Sequence, residues 1–254
     1  MRKILFAQAA ALAVILASPA VAADLPLKSE VPYVPRVSWT GCYMGGTLGG
    51  AFANKDITDP VALVQESFAP GSTVGITTAN LSPNGAIIGG QIGCDYQFAN
   101  NAVIGIEGFA AGSTMKASSA VPLQQGDIAS VQATTDFLTS VTGRLGYAFD
   151  HVLLYGRGGV AMAADKYEVT GSFAGTPYSF TGLENRIGWV AGAVVEWAFS
   201  PHWSVNVEYD YYGFGTKTVT MSDVGNQFLG VVDVKQNIQV VKVGVNFHAW
   251  GLGW

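Results

Sequence analysis

The chain has 254 residues with 13 Lys and Arg against 18 Asp and Glu, a net charge of −5. This balance argues against a nucleic-acid partner, which needs a basic face. Charged residues make up only 12% and hydrophobic ones 49%, whereas soluble domains carry roughly 25% charge, so the outer surface is not expected to face water.

Residues 1–22 read as a secretory signal peptide. Arg2 and Lys3 form a positive start, Ile4 to Leu16 an apolar run, and Ala20-Val21-Ala22 a small-residue cleavage site. The apolar run is shorter than the roughly 20 residues a membrane helix needs. Cleavage removes Arg2 and Lys3 and no acid, leaving 11 basic and 18 acidic residues and a net charge of −7. Residues 23–38, with Pro26, Pro32 and Pro35 and no alternation, read as a periplasmic leader.

From Trp39 to the end the pattern is that of a single domain. No apolar stretch of about 18 residues follows the signal region; the longest approach to one, Ile187 to Phe199, is broken by Glu196. An apolar surface without apolar helices leaves the closed β-barrel, which satisfies every backbone group within lipid.

The period becomes two at Trp39. In the first strand Cys42, Met44, Leu48 and Phe52 share one face and Tyr43, Thr47 and Ala51 the other. The second, Ala86 to Phe98, sets Ile88, Ile92, Cys94, Tyr96 and Phe98 against Gln91, Asp95 and Gln97. The third, Val103 to Gly112, sets Ile104 and Ile106 against Glu107; the fourth, Leu138 to Phe149, sets Leu145, Tyr147 and Phe149 against Thr142 and Arg144. The fifth, Val152 to about Ala163, sets Leu154, Val160 and Met162 against Tyr155 and Arg157. The sixth, Ile187 to Phe199, sets Trp189, Val195 and Trp197 against Glu196. The seventh, Trp203 to Tyr212, sets Val205, Val207 and Tyr209 against Ser204, Asn206, Glu208 and Asp210. The eighth, Ile238 to Phe247, sets Val241, Val243 and Val245 against Lys242 and Asn246.

In each strand the charges oppose the large apolar residues, so the apolar face is outermost, toward lipid. Tight turns are expected at Asn100-Asn101, Asp150-His151 and Ser200-Pro201-His202, alternating with four long polar loops. Short turns on one side and long loops on the other are usual for outer-membrane barrels. The predicted fold is all-β, an eight-stranded antiparallel up-and-down transmembrane β-barrel with both ends periplasmic. Aromatics near the turns, Tyr96, Phe98, Tyr147, Phe149, Trp197, Phe199, Trp203 and Phe247, form a girdle at the lipid–water boundary.

The inward charges Asp95, Glu107, Arg144, Arg157, Glu196, Glu208, Asp210 and Lys242 share a lumen just wide enough for side chains in a barrel of this size. Ion pairs that fill the lumen are favoured over a gated ion path, since a buried unpaired charge is costly. Cys42 and Cys94 lie on the outward face near the turn ends of adjacent strands. If Ala53 lies opposite Pro83, the two cysteines face each other. A cross-strand disulfide and two separate lipid-facing thiols both fit that placement. His151, His202 and His248 fall at turns or in the tail, with nothing that groups them with acidic ligands, and turn solvation explains them; no metal or cofactor is expected. No catalytic constellation stands out, and the glycine clusters lack the strand-to-helix context of phosphate loops.

The segments WTGCYMGGTLGGAF, GGQIGCDYQF, GRLGYAFDHVLLYGRGGVA, GWVAGAVVEWAFSPHWSVNVEYDYYGFG and VKVGVNF resemble the small outer-membrane β-barrel, porin-like family of alphaproteobacteria, with an OmpA-like or OmpX-like barrel. The last strand, with the tail to Trp254, resembles the signal read by the outer-membrane insertion machinery. The resemblance implies a barrel in contact with outer-membrane lipids and lipopolysaccharide, with a structural or surface role in the cell envelope. The alternative is a narrow porin-like channel or a receptor for a small ligand such as hemin, although the loops lack convergent His, Tyr or Cys to hold iron.

Overall fold

The computed structural model describes residues 37–58, 78–122, 128–173, 176–223, 228–249 and Leu252. The signal peptide and nearly all of the leader lie outside the described residues. Among the described residues there are nine strands: β1 (Gly41–Thr58), β2 (Thr78–Leu81), β3 (Asn84–Gln97), β4 (Ala102–Pro122), β5 (Ile128–Phe149), β6 (Val152–Phe173), β7 (Thr176–Ser200), β8 (Trp203–Asp223) and β9 (Phe228–His248). Each pairs antiparallel with its neighbour, and β1 also pairs with β9, which closes the sheet on itself.

The ring has eight staves, because β2 and β3 form one. Leu81 opposes Lys55 in β2 and Asn84 opposes Phe52 in β3, a single register against β1. Between them Pro83, which has no N–H to donate, accepts from Ala53 N at 2.7 Å. That register places Cys42 directly opposite Cys94.

The turns fall where the sequence places them. Asn101 and Asp150 take positive φ, 66° and 57°, which short polar side chains tolerate. Carbonyls of the turns are taken by the next hairpin: Ala148 N donates to Asn101 O, Ala198 N to His151 O and His248 N to His202 O.

The other end differs from expectation. In place of three of the four long polar loops, the strands continue: β4 reaches Pro122 and β5 starts at Ile128, β6 reaches Phe173 and β7 starts at Thr176, β8 reaches Asp223 and β9 starts at Phe228, while most of the loop expected between the first two strands, residues 59–77, lies outside the described residues. The faces invert along the way. Near the turns the exterior is apolar, with Leu48, Ile88, Leu145, Val160 and Val207 all exposed. Above Phe52, Met162 and Val241 it becomes polar, with Asn54, Asp56, Thr58, Lys116, Lys166 and Lys235 outward, while Ile57, Val131, Val169, Val219, Val232 and Val234 turn inward. The apolar belt on β1 runs from Cys42 to Phe52, the length of a tilted membrane-spanning strand of about 9–11 residues. The upper part keeps its apolar residues inside and carries mostly polar ones outside, on the same strands.

Trp39 does not start the first strand. It bends inward with Val37 and packs with Leu252, Val103, Leu153, Val194 and Ala198 in the turn end of the lumen. Gly41, at φ 150°, makes the bend. Trp39 N donates to Gln97 Oε1 (2.8 Å), its Nε1 to Asp150 O (3.1 Å), and Leu252 N to Pro201 O (2.5 Å).

Candidate functional site

The lumen is stacked in layers. From the turn end, the Trp39 plug is followed by a charged layer. Above it lies an apolar layer that includes Phe109, Leu138, Val190, Tyr212, Ile238 and Val240. A second charged layer comes next, and then an apolar cap around Val131, Tyr167, Phe180 and Val234.

The first charged layer brings together all eight inward charges read from the sequence. Arg157 donates Nε to Asp210 Oδ1 (3.0 Å) and Nη2 to Asp210 Oδ2 (3.1 Å), and its Nη1 meets Glu107 and lies 2.7 Å from Glu208 Oε1. Lys242 Nζ lies 3.0 Å from both Glu208 Oε1 and Asp210 Oδ2, and 3.8 Å from the centroid of the Phe109 ring. Arg144 reaches Asp95 Oδ2 (3.2 Å) and Glu196 Oε2 (3.1 Å), donates to Tyr43 Oη, and stacks 3.9 Å from the Tyr155 ring centroid. Five carboxyl groups thus face three cations, and neutral donors add hydrogen bonds at Glu107 and Glu196. Tyr43 donates to Glu107 (2.5 Å), and Ser204 (2.5 Å) and Asn246 (2.8 Å) donate to Glu196.

A repeated device seats these pairs. Along the ladder Arg157 pairs with Gly192 and Gly192 with Asp210, so the ion pair bridges a glycine on the strand between. Asp95 and Arg144 bridge Gly105 in the same way, and Tyr43 and Glu107 bridge Gly93. Gln91 and Asn246 bridge Gly45. A Cβ on Gly192 or Gly105 would collide with the Asp210 or Asp95 carboxylate, and one on Gly93 with the Tyr43 hydroxyl. The glycines that dilute the strand pattern are the saddles over which the network closes.

Two features lie outside the sequence reading. His248 is not in solvated tail. It is buried, its Nε2 lies 3.0 Å from Ser204 Oγ and 3.6 Å from Glu196 Oε1, and its ring packs against Trp39 and Tyr43. The last strand runs one residue past Phe247, and the alternation turns that residue inward. The second charged layer, Lys55, Asp165 and Arg186 with Thr135, Tyr167 and Gln236, is built on strand extensions read as loops. Lys55 Nζ donates to Asp165 Oδ1 (2.8 Å) and Thr135 Oγ1 (2.9 Å), and Arg186 Nη1 to Val234 O (2.8 Å).

Outside, the girdle aromatics are all exposed, from Phe247 at 37% to Phe149 at 59%. Cys42 and Cys94 are joined by a disulfide with a Cα–Cα distance of 3.9 Å.

A closed antiparallel barrel with an apolar belt outside and charges inside is a transmembrane β-barrel. The chain belongs to the outer membrane protein beta-barrel domain family, whose sequence pattern matches residues 9–247, and its place is the cell outer membrane. It is 28% identical over 245 residues to the 31 kDa outer-membrane immunogenic protein of Brucella melitensis, covering 94% of this chain and 97% of that one. It is 27% identical over 236 residues to the 25 kDa outer-membrane immunogenic protein of Brucella abortus, covering 91% and 89%. Among solved structures it is similar to the outer membrane protein OprG of Pseudomonas aeruginosa, at 14% identity and a TM-score of 0.48, covering 84% of this chain and 99% of that one.

Proposed function

We propose that this barrel is a structural, surface-presenting component of the outer membrane with a packed lumen. The stacked lumen carries the reading. Three apolar layers and two ion-paired layers cross a barrel whose bore is only side-chain wide, and water-filled channels belong to barrels of about 16 strands. The turn end, with its aromatic girdle, faces the periplasm. The upper barrel, polar outside, stands above the outer leaflet and is the part offered to the surroundings, in keeping with relatives named for immunogenicity. Lipopolysaccharide surrounds the belt, and the insertion machinery receives the last strand during assembly.

The reading is non-enzymatic. Ser204 and Glu196 both approach the same nitrogen of His248, Nε2, whereas a relay needs the two ring nitrogens to serve different partners. The test is planar-bilayer recording of the purified chain. No stable conductance step is expected, and a persistent open level would overturn the packed lumen.

A further inference from the structure

The disulfide lies where thiol chemistry cannot run. Cys42 and Cys94 share a rung of the β1–β3 ladder with both side chains outward, Cys42 half-exposed and Cys94 exposed. The exterior around them is apolar. Met44 (60%) and Ile92 (61%) lie one step above, Ile106 (59%) stands beside Cys94 on β4, and Tyr96 (55%), a ring of the turn-end girdle, lies one step below. Beyond Ile106 the rung runs on through Gly143, Gly158 and Ala191, none of them charged. In the bilayer the two sulfurs are therefore on the hydrocarbon side of the girdle.

A protein disulfide is made by exchange, in which a thiolate attacks the disulfide of a donor. A thiolate is a bare charge, and an isolated charge taken from water into an apolar medium neutralises instead. A donor protein, for its part, cannot enter the belt. The inserted barrel thus lacks both the reacting species and access to its partner, whereas the exported compartment that the chain crosses on its way to the membrane is oxidising.

We propose that the Cys42–Cys94 bond is made on the unfolded chain in the periplasm, by exchange with a disulfide-bearing protein, and that insertion then seals it. The thiolate of one cysteine attacks the donor disulfide, forming a mixed disulfide and releasing one donor thiolate. The thiolate of the second cysteine attacks the sulfur of the first and releases the other. The two cysteine thiols give up two electrons and two protons, and the donor leaves as a dithiol. The insertion machinery then receives a chain whose first two staves are tied at one rung. A slip of one residue there would turn Gln91 and Asp95 to the lipid and Ile92 and Cys94 to the lumen, and the bond forbids it. The inference needs the belt to face hydrocarbon and is indifferent to the packing of the lumen, so a conductance step would leave it standing.

The test compares the native pair with a pair moved above the belt. Asp56 and Asn80 oppose each other in the same register, both exposed on the polar exterior. Asp56→Cys with Asn80→Cys is placed in a chain that also carries Cys42→Ser and Cys94→Ser, and is first checked for the compact heat-resistant form on gels. Both chains, reduced, are folded into phosphatidylcholine nanodiscs, which leave both membrane faces open, and given oxidised glutathione. Remaining thiols are counted by alkylation after unfolding. The moved pair should lose its thiols in the disc, whereas the native pair should keep both there and lose them in urea over the same time. In the reverse experiment, on oxidised chains, a charged phosphine should open the moved bond in the disc and the native bond only after urea. Native thiols that oxidise in the disc as fast as the moved pair would overturn the proposal, as would a native bond that the phosphine opens there. Protection of both pairs in the disc would assign the shelter to the sheet and overturn sealing by the membrane.

Discussion

Arg157 of β6 and Asp210 of β8 hold each other through two parallel hydrogen bonds, 3.0 and 3.1 Å, across Gly192 of the strand between them. Both side chains are fully buried. Breaking such a pair by removing one partner leaves an uncompensated charge and costs about 3–5 kcal/mol. Asp210→Ala and Arg157→Ala should each lower urea resistance by that order, measured as loss of the heat-resistant folded band. The double variant should cost less than the sum of the singles. Additive losses would mean that the two groups do not act as a pair.

The saddle glycines make a separate prediction. Gly192→Ala and Gly105→Ala place a methyl against the Asp210 and Asp95 carboxylates, and overpacking of this kind costs about 1–3 kcal/mol. Gly108→Ala points to the lipid side, where the nearest atom is Ile92 Cγ2 at 3.9 Å. It should be neutral in the same urea assay. Equal loss at Gly108 and Gly192 would detach the glycines from the network.

The belt can be mapped by charge. Leu48 is 61% exposed within the apolar stretch of β1, and Thr58 lies above it on the polar exterior. Leu48→Arg should cost about 2–4 kcal/mol, as an arginine does on the lipid face near the midplane. Thr58→Arg should stay within about 0.5 kcal/mol, the usual range of surface changes. A costly Thr58→Arg would move the outer membrane boundary upward.

The lower half of the barrel was legible in the sequence because two signals coincide there. Large apolar residues such as Ile88, Leu145 and Val243 alternate with charges such as Asp95, Arg144 and Lys242, so face and strand are read together. The upper half was not. There the faces exchange roles, and stretches such as Ala117-Ser118-Ser119-Ala120 offer little contrast between inside and outside, so strands read as loops. Lys55, Asp165 and Arg186 went unread for the same reason, since three charges spread over two supposed loops have no common spacing. His248 was missed by one residue of strand length.

The sequence left the register of β1 and β3 conditional, with a disulfide and two separate thiols both open, and the register the structure shows bears on the last prediction. Cys42 and Cys94 are 52 residues apart in sequence and are joined across one rung of the ladder. A cross-link that closes a loop of this length restricts the unfolded chain by about 4 kcal/mol in the chain-entropy account. The bond lies on the outward face, away from the lumen network, so its removal should leave the folded barrel intact. Mass spectrometry of the alkylated native protein is expected to find no free thiol, and two after reduction. The reduced protein, or Cys42→Ser with Cys94→Ser, should keep the heat-resistant form but unfold at lower urea, with the loss of order 4 kcal/mol. An unchanged urea midpoint after verified reduction would show that the paired strands already supply the constraint and that the bond adds nothing to it.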